Sequence, residues 1–140
     1  MPLARSIHQA ILDHFTGKAA WTAPAAIYIG LSTTAPTTVG GNVTEPSGGG
    51  YARVQVTAAN FTAASAADPA VVQNSAEVSF AVATATWAAG ANMTHAVLFT
   101  AETAGTFLGS GALAVAKPVT EGDTARYPAG QIQITVGPAA

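Results

Sequence analysis

The sequence predicts a mainly β protein: a single antiparallel β-sandwich or barrel-like domain preceded by one N-terminal amphipathic helix. Three observations carry that expectation. Helical spacing of apolar residues is convincing only near the start of the chain. Beyond Pro24, seven or eight short apolar or alternating runs follow one another, separated by Gly, Pro, Asn and Asp. No internal repeat of fixed period interrupts them, so residues 1–17 read as a helical arm and 18–140 as one β domain.

In the arm, Leu3, Ile7, Ile11 and Phe15 recur every four residues, while Arg5, Gln9 and Asp13 fall elsewhere. That spacing predicts a helix over residues 2–16, with Pro2 in the first turn and Gly17 as its C-terminal stop. Residues 25–32 follow as a mostly apolar strand. Residues 33–50 form a long loop carrying Pro36, Gly40, Gly41, Pro46 and Gly48-Gly49-Gly50, a length that is usually functional or mobile. Residues 51–57 alternate strictly, with Ala52, Val54 and Val56 on one face. Further strands are expected at 77–81, at 84–88 around Trp87, at 95–100, at 107–115 and at 131–136, the last turning Ile132, Ile134 and Val136 inward. Gly109 and Gly111 inside the 107–115 run predict a bulge or a close backbone approach.

Composition narrows the function. Five basic and seven acidic residues among 140 make only 9% of the chain charged, against about 25% in ordinary soluble domains. Hydrophobic residues reach 49% and the net charge is −2. Such a chain has little electrostatic defence against association, so part of its exterior is expected to be covered by other subunits. Arg5, Lys18, Arg53, Lys117 and Arg126 are scattered, which argues against nucleic acid as a partner. Residues 78–101 lack Asp, Glu, Lys and Arg, yet Ser79, Gly90, Asn92 and His95 argue against a membrane span. Gln9, Asp13 and His14 likewise interrupt any secretory h-region. With no cysteine, disulfides are excluded.

The inventory for catalysis is thin. His8 and His14 stand six residues apart and so on different sides of a helix, and His95 lies beside a strand far from both. Neither H-E-x-x-H nor G-x-S-x-G occurs, and Gly48-Gly49-Gly50 runs into a strand where a phosphate loop would open a helix. The one close carboxylate pair, Glu121 and Asp123, reads as a solvated turn balanced by Lys117 and Arg126 rather than a calcium site. Aromatic residues fall about one per strand, which suits core filling better than a sugar-binding platform. An enzyme, a metal site and a cofactor are therefore not expected.

In order along the chain, IYIGLSTTAP, SGGGYARVQVT, NSAEVSF, TATWAAGANMTHAVLFTAETAGTFLGSGAL and GDTARYPAGQIQITV resemble a family of small tailed-bacteriophage virion structural proteins, labelled tail-fibre and decoration-like. The similarity runs from about Ile27 to Val136 and lies in pattern, without a catalytic signature. It implies a non-enzymatic exterior module of the virion, assembled in the host cytoplasm, that attaches to or cements the particle. Head decoration and tail attachment are weighed nearly equally, with a tail-tip host-recognition or glycan-binding module as the alternative. Its implied partners are copies of itself, a trimer by analogy with other phage exterior proteins, and virion proteins such as the major capsid or tail proteins. Leu3, Ile7, Ile11 and Phe15 on the arm, and Val39 and Val43 in the long loop, are the expected contact residues.

Overall fold

The helix begins three residues later than the spacing predicts, for a reason written in its backbone. The computed structural model describes residues 1–137, so the end of the expected body, residues 138–140, lies outside the described residues. Leu3 pairs with Gly109 in a β-bridge, the Ser110 amide donates to the Pro2 carbonyl (3.3 Å), and the Ala4 amide donates to the Leu108 carbonyl (2.8 Å). These hydrogen bonds hold the first residues extended, and α1 spans Arg5–Phe15. Ala4 offers no side-chain cap, but the orphan Arg5 amide finds the Thr38 carbonyl at 3.0 Å, tying the first turn to the long loop. At the other end Gly17 adopts φ +74°, the Lys18 amide reaches the Asp13 carbonyl (2.8 Å) and the Gly17 amide reaches that of His14 (3.2 Å). That is a Schellman stop, with glycine in the position the sequence indicated.

The antiparallel, mainly β class holds. β1 (Ile27–Ser32), β2 (Val54–Val56), β5 (Met93–Phe99) and β6 (Phe107–Lys117) form a four-stranded sheet in the order β2-β1-β5-β6. β1 and β5 are its central strands, which is why they read as nearly continuous apolar runs: Ile29, Leu31, Val97 and Leu98 are all buried. β3 (Ala70–Gln73) pairs with β8 (Gln133–Val136), and β4 (Val78–Ser79) pairs with β7 (Arg126–Tyr127). The four-stranded sheet ends in edges at β2 and β6, so it does not close into a barrel.

Several elements differ from expectation. Trp87 does not centre a strand: Trp87–Gly90 is a 3-10 turn in which Ala88 (φ 50°) and Ala89 (φ 53°) are left-handed. Trp87 is nevertheless fully buried, and its indole Nε1 is satisfied there by donating to the Gly49 carbonyl at 2.8 Å. The aromatic residues do fill the core. Tyr51 and Trp87 meet edge-on at 5.1 Å, Phe80 lies 6.2 Å from each, and Phe99 meets Phe107 at 5.6 Å. At the chain's end Ile132 is buried and Ile134 half-buried, but Val136 is exposed, so the predicted inward row stops one residue short.

Gly109 marks the close approach its position predicts, since a Cβ there would lie 2.6 Å from the Pro2 carbonyl oxygen. The N-terminal residues thus cover the outer edge of β6 up to about Gly111, and the Met1 amine reaches the Gln133 carbonyl at 2.8 Å.

Candidate functional site

The helix makes the most conspicuous surface. Ala4 and Ile7 are buried against the core and Ile11 is half-buried, but the apolar stripe continues past the body. Phe15 is 86% exposed and Leu12 62% exposed. An 11-residue helix is about 16 Å long, and only its first two turns rest on the sheet. Beyond Gly17 the chain folds back, the Trp21 amide donating to His14 Nδ1 at 3.2 Å. Trp21 then borders an apolar groove of about 280 Å³ between Ile7, Ile11, Ile27 and Leu108. Of the expected contact residues, Ile7 is buried within the chain itself, Leu3 is half-buried at its bridge to Gly109, and Val43 is half-buried against the core. Phe15 and Val39 stand open to solvent.

A second feature escapes local pattern. Arg53 lies under the long loop with only 8% of its side chain exposed. Its Nε and Nη2 grip Glu45 in a two-pronged ion pair (3.0 Å to Oε1, 2.6 Å to Oε2), its Nη1 donates to the carbonyls of Ala101 (2.9 Å) and Ala104 (2.7 Å), and its Cζ stacks 3.6 Å from the Phe99 ring centroid. The Tyr51 hydroxyl donates to Glu45 Oε1 (2.6 Å) and accepts from the Leu31 amide (2.9 Å). Burial, reinforced by the hydrogen bond to the Glu45 carboxylate, pushes the Tyr51 phenol far above its ordinary pKa. One guanidinium therefore fastens two loops, 33–50 and 101–105, to the same end of the sheet. The long loop is further knitted by Ser32 Oγ, which accepts from the Thr44 amide at 3.0 Å, and by Thr34 Oγ1 to Thr44 Oγ1 at 2.9 Å. It is an anchored loop.

The residues considered for chemistry stay apart. The Thr120 hydroxyl (2.7 Å) and amide (3.0 Å) both donate to Asp123 Oδ2, and these bonds hold its carboxyl below the usual carboxylate range. Arg126, expected to balance the acidic turn, instead stands 3.8 Å from Glu77. His95 Nδ1 lies 2.8 Å from the Thr94 hydroxyl, and His14 is engaged by Trp21. Among the described residues no three His, Asp or Glu side chains gather as metal ligands, and no helix is long and apolar enough to cross a membrane.

Residues 2–135 match the family described as podophage GP4 fiber I protein gp80. The chain belongs to this family. It is accordingly a structural protein of a tailed-phage virion, as the resemblance in its strand motifs implied. The match takes in α1, both anchored loops and the exposed Phe15, so the fibre-protein family covers the arm as well as the β-rich body. No curated protein matches the chain.

Proposed function

We propose that this protein is a non-enzymatic attachment module of the tail-fibre apparatus, with residues 1–17 acting as a docking arm on a sandwich-like β body. The observation that carries the reading is the stripe of α1 overrunning the body, which leaves Leu12 and Phe15 bare on a helix secured at its other end. Helix-in-groove contacts use such anchors at i and i+3. Leu3 and Ile7 then hold the arm to the body, Ile11 lies at the boundary, and Phe15 makes the outward contact. Val39, bare on the long loop beside the first turn of α1, is a separate exposed apolar point. The fibre family favours attachment at the tail over decoration of the head. Gold-labelled antibody against the protein should mark the tail of intact particles. Label confined to the head shell would reject tail attachment.

A second reading has its own observation. Arg53 rigidly pairs the loops 33–50 and 101–105, and preorganised polar loops are suited to recognising a host surface or glycan. It predicts saturable binding of the purified protein to host cells, abolished by Arg53→Met. Absence of any binding by a folded, assembled sample would remove this alternative.

A further inference from the structure

The arm is seated on the body by contacts that any copy of the chain could supply. Its extended start lies along β6, with Leu3 bridged to Gly109 and the Ala4 amide on the Leu108 carbonyl (2.8 Å). The Arg5 amide reaches the Thr38 carbonyl (3.0 Å), the Met1 amine reaches the Gln133 carbonyl (2.8 Å), and Ala4 and Ile7 enter the core. None of these contacts requires the arm and the body to be continuous. Only the linker between them decides whose arm fills the seat.

That linker is loosely held. Residues 12–23 are all exposed, and from Thr22 to Ala25 no hydrogen bond ties the chain to any other described residue. An apolar groove of about 280 Å³ lies between Ile7 and Ile11 of the arm and Ile27 and Leu108 of the body, and a second hollow of about 490 Å³ touches Trp21, Thr22, Pro24, Ala25 and Ala26. A segment with so few bonds and so little packing is among the least costly to open. Extended, the five residues 22–26 span roughly 17 Å, about the length of the helix they carry. The bare apolar residues gather at the same joint: Leu12 is 62% exposed, Phe15 86% and Trp21 37%.

We propose that copies of this chain exchange arms: α1 and the residues before it leave their own body and take the identical seat on a second copy. What fills that seat is on view, because the arm already occupies it. Every contact of the closed form is kept, so the exchange costs the opening of the linker and the freedom lost on association. It is offset where the two linkers pass each other, since Leu12, Phe15 and Trp21 of one copy there meet those of the other and leave water. Two seated arms hold the pair in addition to that joint, so its area is not limited to the bare helix ends. This inference rests on reading the chain as an assembling virion component, and it names a second copy as what the arm docks on.

The chain has no cysteine, so introduced thiols report the exchange without interference. Pro2 and Ser110 stand opposite each other in the antiparallel register set by Leu3 and Gly109. A full-length chain with both Pro2→Cys and Ser110→Cys should form a disulfide in either state, within itself when closed and between copies when exchanged. Two proteins with one substitution each are then unfolded in urea, mixed at high concentration, refolded together and oxidised. Exchange predicts covalent dimers that join position 2 of one copy to position 110 of the other, identified by mass spectrometry and scarce when either protein is refolded alone. Adding Leu12→Asp with Phe15→Asp to both should cut the yield several-fold, and an unchanged yield would remove the joint from the proposal. A mixture that yields no more linked dimer than either protein alone would overturn the exchange. So would a wild type that sediments as a monomer at every concentration. Failure here with gold label still on the tail would leave the attachment function standing and assign the bare end of the arm to a different virion protein.

Discussion

At the scale of single residues the body depends on a few polar groups whose loss is costlier than their presence is stabilising. Arg53 is nearly sealed, so removing its partner leaves a buried cation uncompensated. Glu45→Ala is expected to cost about 3–5 kcal/mol, the range for breaking a buried ion pair from one side. A shift of the urea midpoint at unchanged slope would verify it, and a change under 1 kcal/mol would show that the pair is solvated in practice. Tyr127 is the opposite case. Its hydroxyl is buried without a hydrogen-bond partner, and burial raises its pKa above the ordinary phenol value. Tyr127→Phe should therefore stabilise the protein by about 1 kcal/mol, since it deletes an unsatisfied polar atom and keeps the ring that packs on Phe80. Tyr51 and Tyr127 also set the alkaline limit. Both have folded-state pKa values above the unfolded value of about 10, so the stability linked to their neutral forms is intact below that pH. As pH rises further the unfolded chain sheds protons that the native state retains. Stability should then fall by up to about 2.7 kcal/mol per pH unit for the two groups together. Melting curves from about pH 9 to about pH 12, a range that spans the ordinary phenol value, should show the decline, with a shallower slope for Tyr127→Phe.

Among elements, the outer edge of β6 is the point where local sequence and long-range structure meet. Gly109 admits Pro2 so closely that any side chain there would strike the Pro2 carbonyl. Gly109→Val should lever the N-terminal residues off β6 at a cost of about 1–3 kcal/mol. Hydrogen exchange would locate the damage: the Ala4 and Ser110 amides should lose protection while those of β1 keep theirs. Retained protection at Ala4 would mean the strand rearranges to accommodate the side chain. The same edge explains what the sequence could disclose. A glycine inside an apolar run signals a close neighbour, but nothing nearby says that the neighbour is Pro2, more than a hundred residues away. Strands with several alternating residues, such as the one carrying Val54 and Val56, announce themselves by period. β3 does not, because Ala70-Val71-Val72-Gln73 shows no alternation of apolar and polar residues, and β7 does not, because its two residues cannot establish a period. The clasp at Arg53 was hidden for a related reason. Tyr51 and Arg53 share a strand face that reads as solvent-facing, and only the return of the loop with Glu45 turns that face into an interior. The exposed end of α1 was half legible: the stripe was visible in the spacing, whereas the point where the body stops supporting it was not.

For the whole molecule, the decisive quantity is how much surface is left bare. Folded monomers of 13.9 kDa expose about 6,700 Å² by the usual size scaling, and this chain exposes 7769 Å². The excess of about 1,100 Å² is comparable with the roughly 800 Å² each partner contributes to a standard interface. Part of it is apolar and prominent, at Leu12, Phe15, Val39, Val82 and Val115. Few charges are present to keep copies apart, so the protein's exterior is fitted to being covered within the virion. Covering has a thermodynamic signature, because a partner that binds only the folded chain stabilises it by mass action. At a partner concentration about 100-fold above the dissociation constant the gain is about 2.7 kcal/mol. For a domain of this size that corresponds to several degrees in Tm. Where copies of this chain supply the cover, calorimetry across a wide range of protein concentrations should show Tm rising with concentration for the wild type. The double variant Leu12→Asp with Phe15→Asp should show a flat Tm at the wild type's dilute value, since the two positions touch solvent and contribute little to the isolated fold. A Tm independent of concentration in the wild type would mean that copies of this chain do not cover one another, and that the bare surface is reserved for a different component of the particle.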